Sequence, residues 1–187
     1  YKKKHDLNKI KKENYLLCVG RLEKQKAFHI AIEAFSGIAE KFPNLRLKIV
    51  GKGALENELR KKALECRISS RVDFEGFQKD IIPFYLHANG TLLTSIYEGY
   101  PNVLIESIAM NTPVVSFDCP GGPNEIITHG VNGLLVKYLD VNDLKNKISF
   151  LLQNKFDYKN LKISIQKNEI KEVFKKYENL VYSFIKI

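Results

Sequence analysis

Residues 91–106 read TLLTSIYEGYPNVLIE, a short apolar strand followed by a Gly-Tyr-Pro turn and the start of a helix. Pro101 cannot donate a backbone hydrogen bond and presets φ for a first helical turn, so a helix is predicted to begin near Asn102. Two carboxylates flank the turn, Glu98 in the loop before it and Glu106 about one turn into the helix. Strand ends that lead into helices are where doubly wound α/β folds bind ligands, so this acidic pair indicates a site.

On both sides of this segment, apolar runs alternate with helical patterns, separated by Gly, Pro or Asn, which is typical of a βαβ fold. We predict an α/β fold, a Rossmann-like, doubly wound parallel sheet of about six strands with helices on both faces. The predicted strands are 15–19, 45–50, 71–76, 91–94, 113–117 and 133–136. The predicted helices are 27–41, 54–66, 81–88, 103–110, 123–129, 140–152 and 170–184.

The length of 187 residues is that of one domain, large enough to bury roughly 70% of the surface of the unfolded chain. We predict a linker at 1–14, a Rossmann-like domain at 15–153 and a C-terminal helical segment at 154–187. The three cysteines have no CxxC spacing, which is typical of a reducing compartment, and the four histidines lie in separate segments, so no sequence-local metal site is expected. The first residue is Tyr1 and not Met, which indicates a piece of something longer.

The chain is basic, with a formal charge of +9 and an isoelectric point of about 9.3. This excess suits a nucleic acid, an anionic membrane face or a phosphate-bearing substrate. Lysines dominate it, however, and their scatter along helices is typical of ordinary solvated faces. No run of eighteen apolar residues and no leader pattern is found, so neither a membrane span nor export is predicted.

The end of the first strand offers an anion site. Gly20-Arg21 follows the strand, and Lys26 stands five residues later near the start of the first helix, where free N–H groups favour a diphosphate. Alternatively, both cations are solvated ends. Gly51-Lys52-Gly53 brings backbone close to a nucleotide or forms a tight turn, and we favour the turn. A Walker loop and a GxGxxG fingerprint are both absent, which argues against NAD or FAD.

The two glutamates suit a polyol, because carboxylates accept pairs of sugar hydroxyl hydrogen bonds. Glu106 projects toward the same crevice as Glu98 only if Leu104, Ile105 and Ile108 take the core face of the helix. In the alternative, Glu98 is an ordinary loop residue and Glu106 an ordinary helix surface residue.

Taken together, three segments resemble the C-terminal domain of retaining GT-B glycosyltransferases of family 4. They are Gly20-Arg21-Leu22 with Lys26, the EX7E spacing inside EGYPNVLIESIAMNTPVVSFDCPGGPNEII, and GVNGLLV from Gly130. The resemblance spans about residues 15–144. It implies that Arg21 and Lys26 hold the diphosphate of a nucleotide sugar, and that Glu98 contacts the sugar.

By the same resemblance, Glu106 binds the ribose, and backbone amides of residues 99–103 reach the phosphates. We therefore assign three catalytic residues, Glu98, Arg21 and Lys26. The assigned substrate-binding residues are Gly20, Gly51, Gly76, Phe77, Gly99, Tyr100, Pro101, Asn102, Val103 and Glu106.

Two features depart from the family pattern. The family usually has Gly after the lysine, whereas Ala27 follows Lys26, and its methyl group is tolerated if the backbone there is helical. GT-B enzymes also place the active site between two Rossmann-like domains, and only one fits this chain. We expect the donor-binding half of a larger enzyme, with segment 170–184 resembling the part that crosses back toward the missing N-terminal domain.

The implied reaction transfers a hexose from a nucleotide sugar, expected to be UDP-linked, with retention and without a metal or other cofactor, and the absence of a DxD triplet agrees. The expected partners are a UDP-sugar and a lipid-linked glycan acceptor, with a cytoplasmic location, peripheral on the membrane face. The alternatives are a UDP-sugar epimerase of the same architecture and a non-catalytic nucleotide-binding module. Nucleic acid is not expected, because no aromatic-rich RNP-like strand is present.

Overall fold

The computed structural model describes residues 10–165. Its centre is one six-stranded sheet in which all paired strands run parallel, in the order β3-β2-β1-β4-β5-β6. The strands are β1 Tyr15–Val19, β2 Arg46–Val50, β3 Val72–Gly76, β4 Gly90–Leu93, β5 Val114–Phe117 and β6 Gly133–Val136. The predicted Rossmann-like architecture is confirmed, with strand bounds within one residue of the prediction.

Helices cover both faces of the sheet. They are α1 Phe28–Ser36, α2 Glu56–Glu65, α3 Ile82–His87, α4 Asn102–Ala109, α5 Pro123–Ile126, α6 Val141–Gln153 and α7 Tyr158–Ser164. Helices α1, α2 and α6 pack together on one face, and α3, α4, α5 and α7 pack on the other. Within residues 10–165, the longest and most apolar helices still fall short of what crossing a bilayer requires.

Strand β1 shows how the sequence pattern builds these layers. Leu16 and Cys18 join the core under α1 and α6, whereas Tyr15 and Leu17 point to the opposite face and pack with Tyr85 of α3. All of these side chains are almost fully buried, as a central parallel strand covered on both faces requires. Burying a leucine contributes roughly 1.5 to 3 kcal/mol, so β1 anchors both layers.

Two helices are shorter than predicted. Helix α1 ends before Gly37, and the chain then turns toward Pro43, which disfavours helical backbone in the residue before it. Helix α5 ends at Ile126 because the buried side chain of Asn132 accepts from the Thr128 N–H and donates to the Ile126 carbonyl. These hydrogen bonds compete with helix continuation through residues 127–129.

Near the end of the described chain, helix α7 was not predicted as a separate element, although it falls within the predicted helical segment 154–187. Asp157 caps it by accepting from the Lys159 N–H. The predicted helix 170–184 lies outside the described residues, as do residues 1–9 of the predicted linker.

Strand order decides where loops meet. The chain crosses from β3, at one edge, to β4 on the far side of β1, so the connections after β1 and β4 leave the sheet in opposite directions. Such a switch point opens a crevice beyond the carboxyl ends of the two strands, where α/β folds bind ligands.

Candidate functional site

The loops that follow β1 and β2 pack backbone against backbone. The Gly20 N–H donates to the Val50 carbonyl at 3.0 Å, and the Leu22 N–H donates to the Lys52 carbonyl at 3.1 Å. Gly51 has a φ of +142°, and a Cβ there would overlap the Gly20 carbonyl oxygen. Gly51 therefore allows the two loops to approach closely. The sequence alone indicated a tight turn or a nucleotide contact for this segment, but not a contact between two loops.

These loops line an open cavity of about 490 Å³ at the carboxyl edge of the sheet. Four predicted site residues line it: Gly20, Arg21, Gly51 and Phe77. The other lining residues are Val19, Val50, Lys52, Gln78 and Ile81. Phe77 is 68% exposed, so its ring presents an open apolar face beside the cavity. Gly76 lies behind this wall, where its carbonyl accepts from the Gly51 N–H at 2.8 Å.

A second cavity, of about 520 Å³, lies at the opposite edge of the sheet. It is lined by residues that precede strands, among them Asn14, Leu45 and Asn89. Ligands of doubly wound folds bind beyond the carboxyl ends of the strands, so the cavity beside Arg21 is the candidate site.

Lys26 and Glu98 form an ion pair at the switch point. Lys26 Nζ lies 2.6 Å from Glu98 Oε1, and the two side chains are only 15% and 8% exposed. The Ser95 hydroxyl, on the loop after β4, donates to the same Oε1 at 2.5 Å. The structure thus brings together two of the residues predicted to be catalytic, which are 72 positions apart in sequence.

Further hydrogen bonds hold the two loops around this pair. The Ile96 N–H donates to the Gln25 carbonyl at 2.8 Å, and the Gln25 side-chain amide donates to the Tyr97 carbonyl at 2.9 Å. Thr94 Oγ1 donates to the Lys26 carbonyl at 2.9 Å. Lys26 and Glu98 are therefore fixed through their backbones as well as through their charges.

The loop after β5 also contacts the backbone of Glu98. The Glu98 N–H donates to the Pro120 carbonyl at 2.8 Å. Gly121 has a φ of +95°, and a Cβ there would overlap the Glu98 carbonyl oxygen. The Pro-Gly-Gly-Pro segment thus admits the Glu98 loop because it carries no side chain at the contact.

Ala27 has a left-handed backbone, with φ 46° and ψ 41°, between the 3₁₀ turn Lys24–Lys26 and α1. The expectation that its methyl group fits a helical backbone is not met, since left-handed backbone costs an L-residue roughly 1 to 2 kcal/mol. A glycine would adopt this conformation without that cost, which is the physical reason for glycine after the lysine.

Glu106 lies on α4 with Leu104 and Ile108 fully buried and Ile105 partly buried, so the condition for its outward projection holds. Its Oε2 accepts from the hydroxyl of the buried Tyr85 at 2.8 Å. Burial, together with the Glu106 charge, raises the pKa of Tyr85 above its usual range, so this phenol is a permanent donor. Glu106, like Lys26 and Glu98, is not among the residues that line the cavity beside Arg21.

The remaining predicted site residues lie on the turn before α4. Gly99, Tyr100 and Asn102 are exposed, Val103 is partly buried and Pro101 is buried. The backbone amides of residues 99–103 were predicted to reach the phosphates. One of them, the Asn102 N–H, already donates to the Tyr100 carbonyl at 2.9 Å. Helix α4 begins at Asn102, as predicted.

The predicted cations differ in their surroundings. The Arg21 side chain is 71% exposed and lies 3.1 Å from Glu23. Lys26 is largely buried, whereas Arg21 can turn toward a ligand in the cavity at little cost. The arrangement offers a guanidinium that shares a cavity with an apolar wall, and a fixed ammonium packed beside Gly20 at the margin of that cavity, which suits an anionic group attached to a ring system.

Sequence reasoning missed Ser95, Tyr85 and Gln25. Ser95 stands three residues before Glu98 on the same loop, and this spacing was the available signal. Tyr85 and Gln25 carry no local signal, because each meets its partner through the strand order. A further missed neighbour is Cys119, whose pKa is raised to about 11 by burial and by the Glu98 charge, so its thiol is neutral at pH 7. Within residues 10–165, groups of three His, Cys, Asp or Glu that could hold a metal ion are absent.

The chain belongs to the glycosyl transferases group 1 family, whose sequence model matches residues 2–172. An uncharacterized glycosyltransferase of Methanocaldococcus jannaschii is 38% identical over 114 residues, which are 61% of this chain and 28% of that protein. A Campylobacter jejuni relative is 30% identical over 143 residues, 76% of this chain and 38% of its own length. It is named N-acetylgalactosamine-N,N'-diacetylbacillosaminyl-diphospho-undecaprenol 4-alpha-N-acetylgalactosaminyltransferase.

Among solved structures, a mutant of S. aureus TarM in complex with Fondaparinux, alpha-GlcNAc-glycerol and UDP superposes with a TM-score of 0.86 at 25% identity. The match covers 94% of this chain and 37% of TarM. The expected GT-B relationship is confirmed. The chain spans less than half the length of these relatives.

Proposed function

We propose that this chain is the donor-binding, C-terminal half of a retaining family 4 glycosyltransferase that transfers a hexose from a UDP-sugar to a glycan or glycolipid. The observation that carries the proposal is the buried contact between Lys26 and Glu98 at the switch point. The Lys26 side chain packs beside Gly20, which lines the same cavity as Arg21. The UDP bound in the TarM structure supports a nucleotide-sugar donor.

Charge development explains the roles of the cations. As the glycosidic bond breaks, negative charge grows on the diphosphate, and Arg21, Lys26 and the N-terminus of α4 stabilise it. Lys26 is already held in place, so little reorganisation accompanies this stabilisation. The acceptor hydroxyl then attacks the anomeric carbon from the face that the phosphate leaves, and an oxygen of the leaving phosphate takes the hydroxyl proton. Because the new bond forms on the side of the broken one, the configuration at the anomeric carbon is retained.

The carboxylates bind the neutral parts of the donor. Glu98 accepts hydrogen bonds from sugar hydroxyls near the reacting carbon, and Glu106 accepts from the ribose. Each hydrogen bond to a charged group contributes roughly 1.5 to 3 kcal/mol. The open apolar surface around Phe77 and Ile81 receives the uracil ring.

The acceptor binds mainly to a second, N-terminal domain of the whole enzyme. The name of the Campylobacter jejuni relative contains a diphospho-undecaprenol, which supports a lipid-linked glycan acceptor. Such an acceptor would bring the enzyme to the cytoplasmic face of a membrane. The isolated chain should therefore bind UDP weakly and transfer little sugar, and joining it to an N-terminal half should restore transfer.

Calorimetric titration of UDP tests the site. Wild type should bind UDP, and Arg21→Ala, Lys26→Ala and Glu106→Ala should each bind it at least about fivefold more weakly, as loss of a charged hydrogen bond predicts. Arg60→Ala is the matched control, since Arg60 is a surface arginine on α2 that pairs with Glu56 away from the cavity. Equal affinity in all five proteins would refute the site.

Product analysis separates the reaction classes. Incubation of the chain, joined to an N-terminal half, with UDP-N-acetylglucosamine and an acceptor glycan should yield UDP and a glycosylated acceptor. Formation of a UDP-linked epimer instead would assign the chain to a sugar-nucleotide epimerase. Strong transfer by the isolated chain would contradict the two-domain proposal.

A further inference from the structure

One oxygen of the Glu98 carboxylate is occupied by the protein itself. Oε1 accepts from Lys26 Nζ at 2.6 Å and from Ser95 Oγ at 2.5 Å. The Ser95 side chain is fully buried, and the Glu98 side chain is 8% exposed. The hydrogen bonds within residues 10–165 leave Oε2 of Glu98 for a further donor.

Two short contacts on one oxygen fix the plane of the carboxylate as well as its position. Rotation about the last side-chain bond of Glu98 would break the contact with Ser95 or with Lys26. Oε2 therefore points in one direction, and a fixed acceptor of this kind distinguishes ligands that carry a hydroxyl there from ligands that do not.

Lys26 and Ser95 differ in what else they do. Under the proposed function, the Lys26 ammonium also faces the diphosphate, so it shares its charge between Glu98 and the nucleotide when the nucleotide binds. The Ser95 hydroxyl is buried behind the carboxylate and keeps its contact whether or not a diphosphate is present. Ser95 is thus the partner that holds Glu98 independently of the nucleotide.

The other buried serines of β5 and α4 bond differently. Ser116 donates to the Phe117 carbonyl, and Ser107 donates to the Thr112 carbonyl while its Oγ lies 2.8 Å from the Thr91 hydroxyl. These contacts satisfy a hydroxyl within the core. Ser95 instead donates to a charged carboxylate of the site, although a neutral acceptor in the core would also satisfy its hydroxyl.

We propose that Ser95 is a positioning residue that aims Oε2 of Glu98 at the hexose of the donor. It sets how much more tightly the chain binds a UDP-hexose than UDP, and it leaves the affinity for UDP itself unchanged. This inference rests on the proposed function, because it requires the hexose to lie against Glu98.

The test compares two ligands and four proteins by calorimetric titration. The ligands are UDP and whichever of UDP-glucose, UDP-galactose and their N-acetyl forms wild type binds most tightly. The proteins are wild type, Ser95→Ala, Ser95→Cys and Ser116→Ala. Cysteine nearly preserves the side-chain volume with a weak donor, and Ser116→Ala is the matched loss of a buried hydroxyl outside the site.

Ser95→Ala and Ser95→Cys should weaken UDP-hexose binding about tenfold and change UDP binding less than about twofold, as loss of a bond to a charged group predicts. Ser116→Ala should keep the wild-type ratio of the two affinities. Parallel loss of both affinities in the Ser95 variants would show a structural role and overturn the inference. An unchanged ratio would overturn it as well, with UDP binding intact. Failure of wild type to bind UDP would instead refute the proposed function, and the inference with it.

Discussion

The ion pair between Lys26 and Glu98 predicts a large coupling in folding stability. Its side chains are 15% and 8% exposed at a separation of 2.6 Å, so replacing one partner leaves a buried charge without its counter-charge. Removing one member of such a pair costs about 3 to 5 kcal/mol. For Lys26→Met we expect the lower end, about 3 kcal/mol, because Ser95 still donates to the carboxylate.

Glu98→Gln should cost less. It leaves the Lys26 ammonium without a counter-charge, but Lys26 is the more exposed partner and keeps a neutral oxygen acceptor, so we expect a loss of about 1 to 2 kcal/mol. The double variant carries neither charge, and its loss should also be about 1 to 2 kcal/mol. The coupling energy, the sum of the single losses minus the double loss, is then at least about 2 kcal/mol.

Urea unfolding of the four proteins, followed by circular dichroism without nucleotide, measures these free energies. The matched control is the cycle of Arg21→Met and Glu23→Gln, whose pair has a similar 3.1 Å separation but side chains 71% and 43% exposed. Solvent screening should reduce that coupling to below about 0.5 kcal/mol. Equal coupling in the two cycles, or additive losses at Lys26 and Glu98, would refute the assignment of a buried, coupled pair.

Three further predictions concern the surroundings of the site. Tyr85→Phe removes the hydroxyl that holds Glu106, so UDP affinity should fall about fivefold and affinity for 2′-deoxy-UDP by less, measured by calorimetry. Gly121→Ala should cost the left-handed backbone penalty and an overlap with Glu98, whereas Gly130→Ala, with open space around it, should cost only about 1 to 2 kcal/mol in urea unfolding. Burial lowers the pKa of Lys12 from 10.5 to about 8, so from pH 8 to pH 10.5 unfolded Lys12 binds a proton that folded Lys12 lacks. The stability of wild type relative to Lys12→Met should therefore rise with pH across this window, by up to about 3 kcal/mol in pH-dependent unfolding.

Each of these predictions has a contrary result. Equal losses for UDP and 2′-deoxy-UDP in Tyr85→Phe would separate Glu106 from the ribose. Equal costs for alanine at Gly121 and Gly130 would show that the Glu98 loop yields to the added methyl group. A stability difference at Lys12 that stays flat between pH 8 and pH 10.5 would show that its hydrogen bonds to the Leu86 carbonyl and the Thr112 hydroxyl offset the cost of burying the ammonium.

Local sequence patterns predicted most helix and strand positions correctly. Asp140 was expected to begin a helix, and its side chain accepts from the N–H groups of Asn142 and Asp143 at the start of α6. Pro101 likewise precedes α4 as expected. The predicted bounds were wrong where a side chain beyond the helix intervened, as at α5, where Asn132 takes the hydrogen bonds that would have extended the helix.

The candidate site was predicted less completely than the fold. Residues 20, 21, 51 and 77 line one cavity, and Lys26 contacts Glu98, as the predicted site requires. Glu106, in contrast, contacts Tyr85 and does not line that cavity. Glu106 can be assigned to α4 from local spacing, whereas its partner depends on how α3 packs beside α4. The left-handed backbone of Ala27 escaped notice for a similar reason, since alanine itself favours ordinary helical backbone.

By itself, the sequence determined the alternation of strands and helices, because hydrophobic periodicity and caps act over a few residues. It also determined that Glu98 and Glu106 flank a turn. Only the tertiary structure decided that Ser95 and Lys26 share one oxygen of Glu98, and that Gly121 makes room for the Glu98 loop. The physical reason is strand order. The contacts of Glu98 with Lys26 and with Gly121 depend on β4 lying between β1 and β5, and that order is set by the packing of the whole sheet.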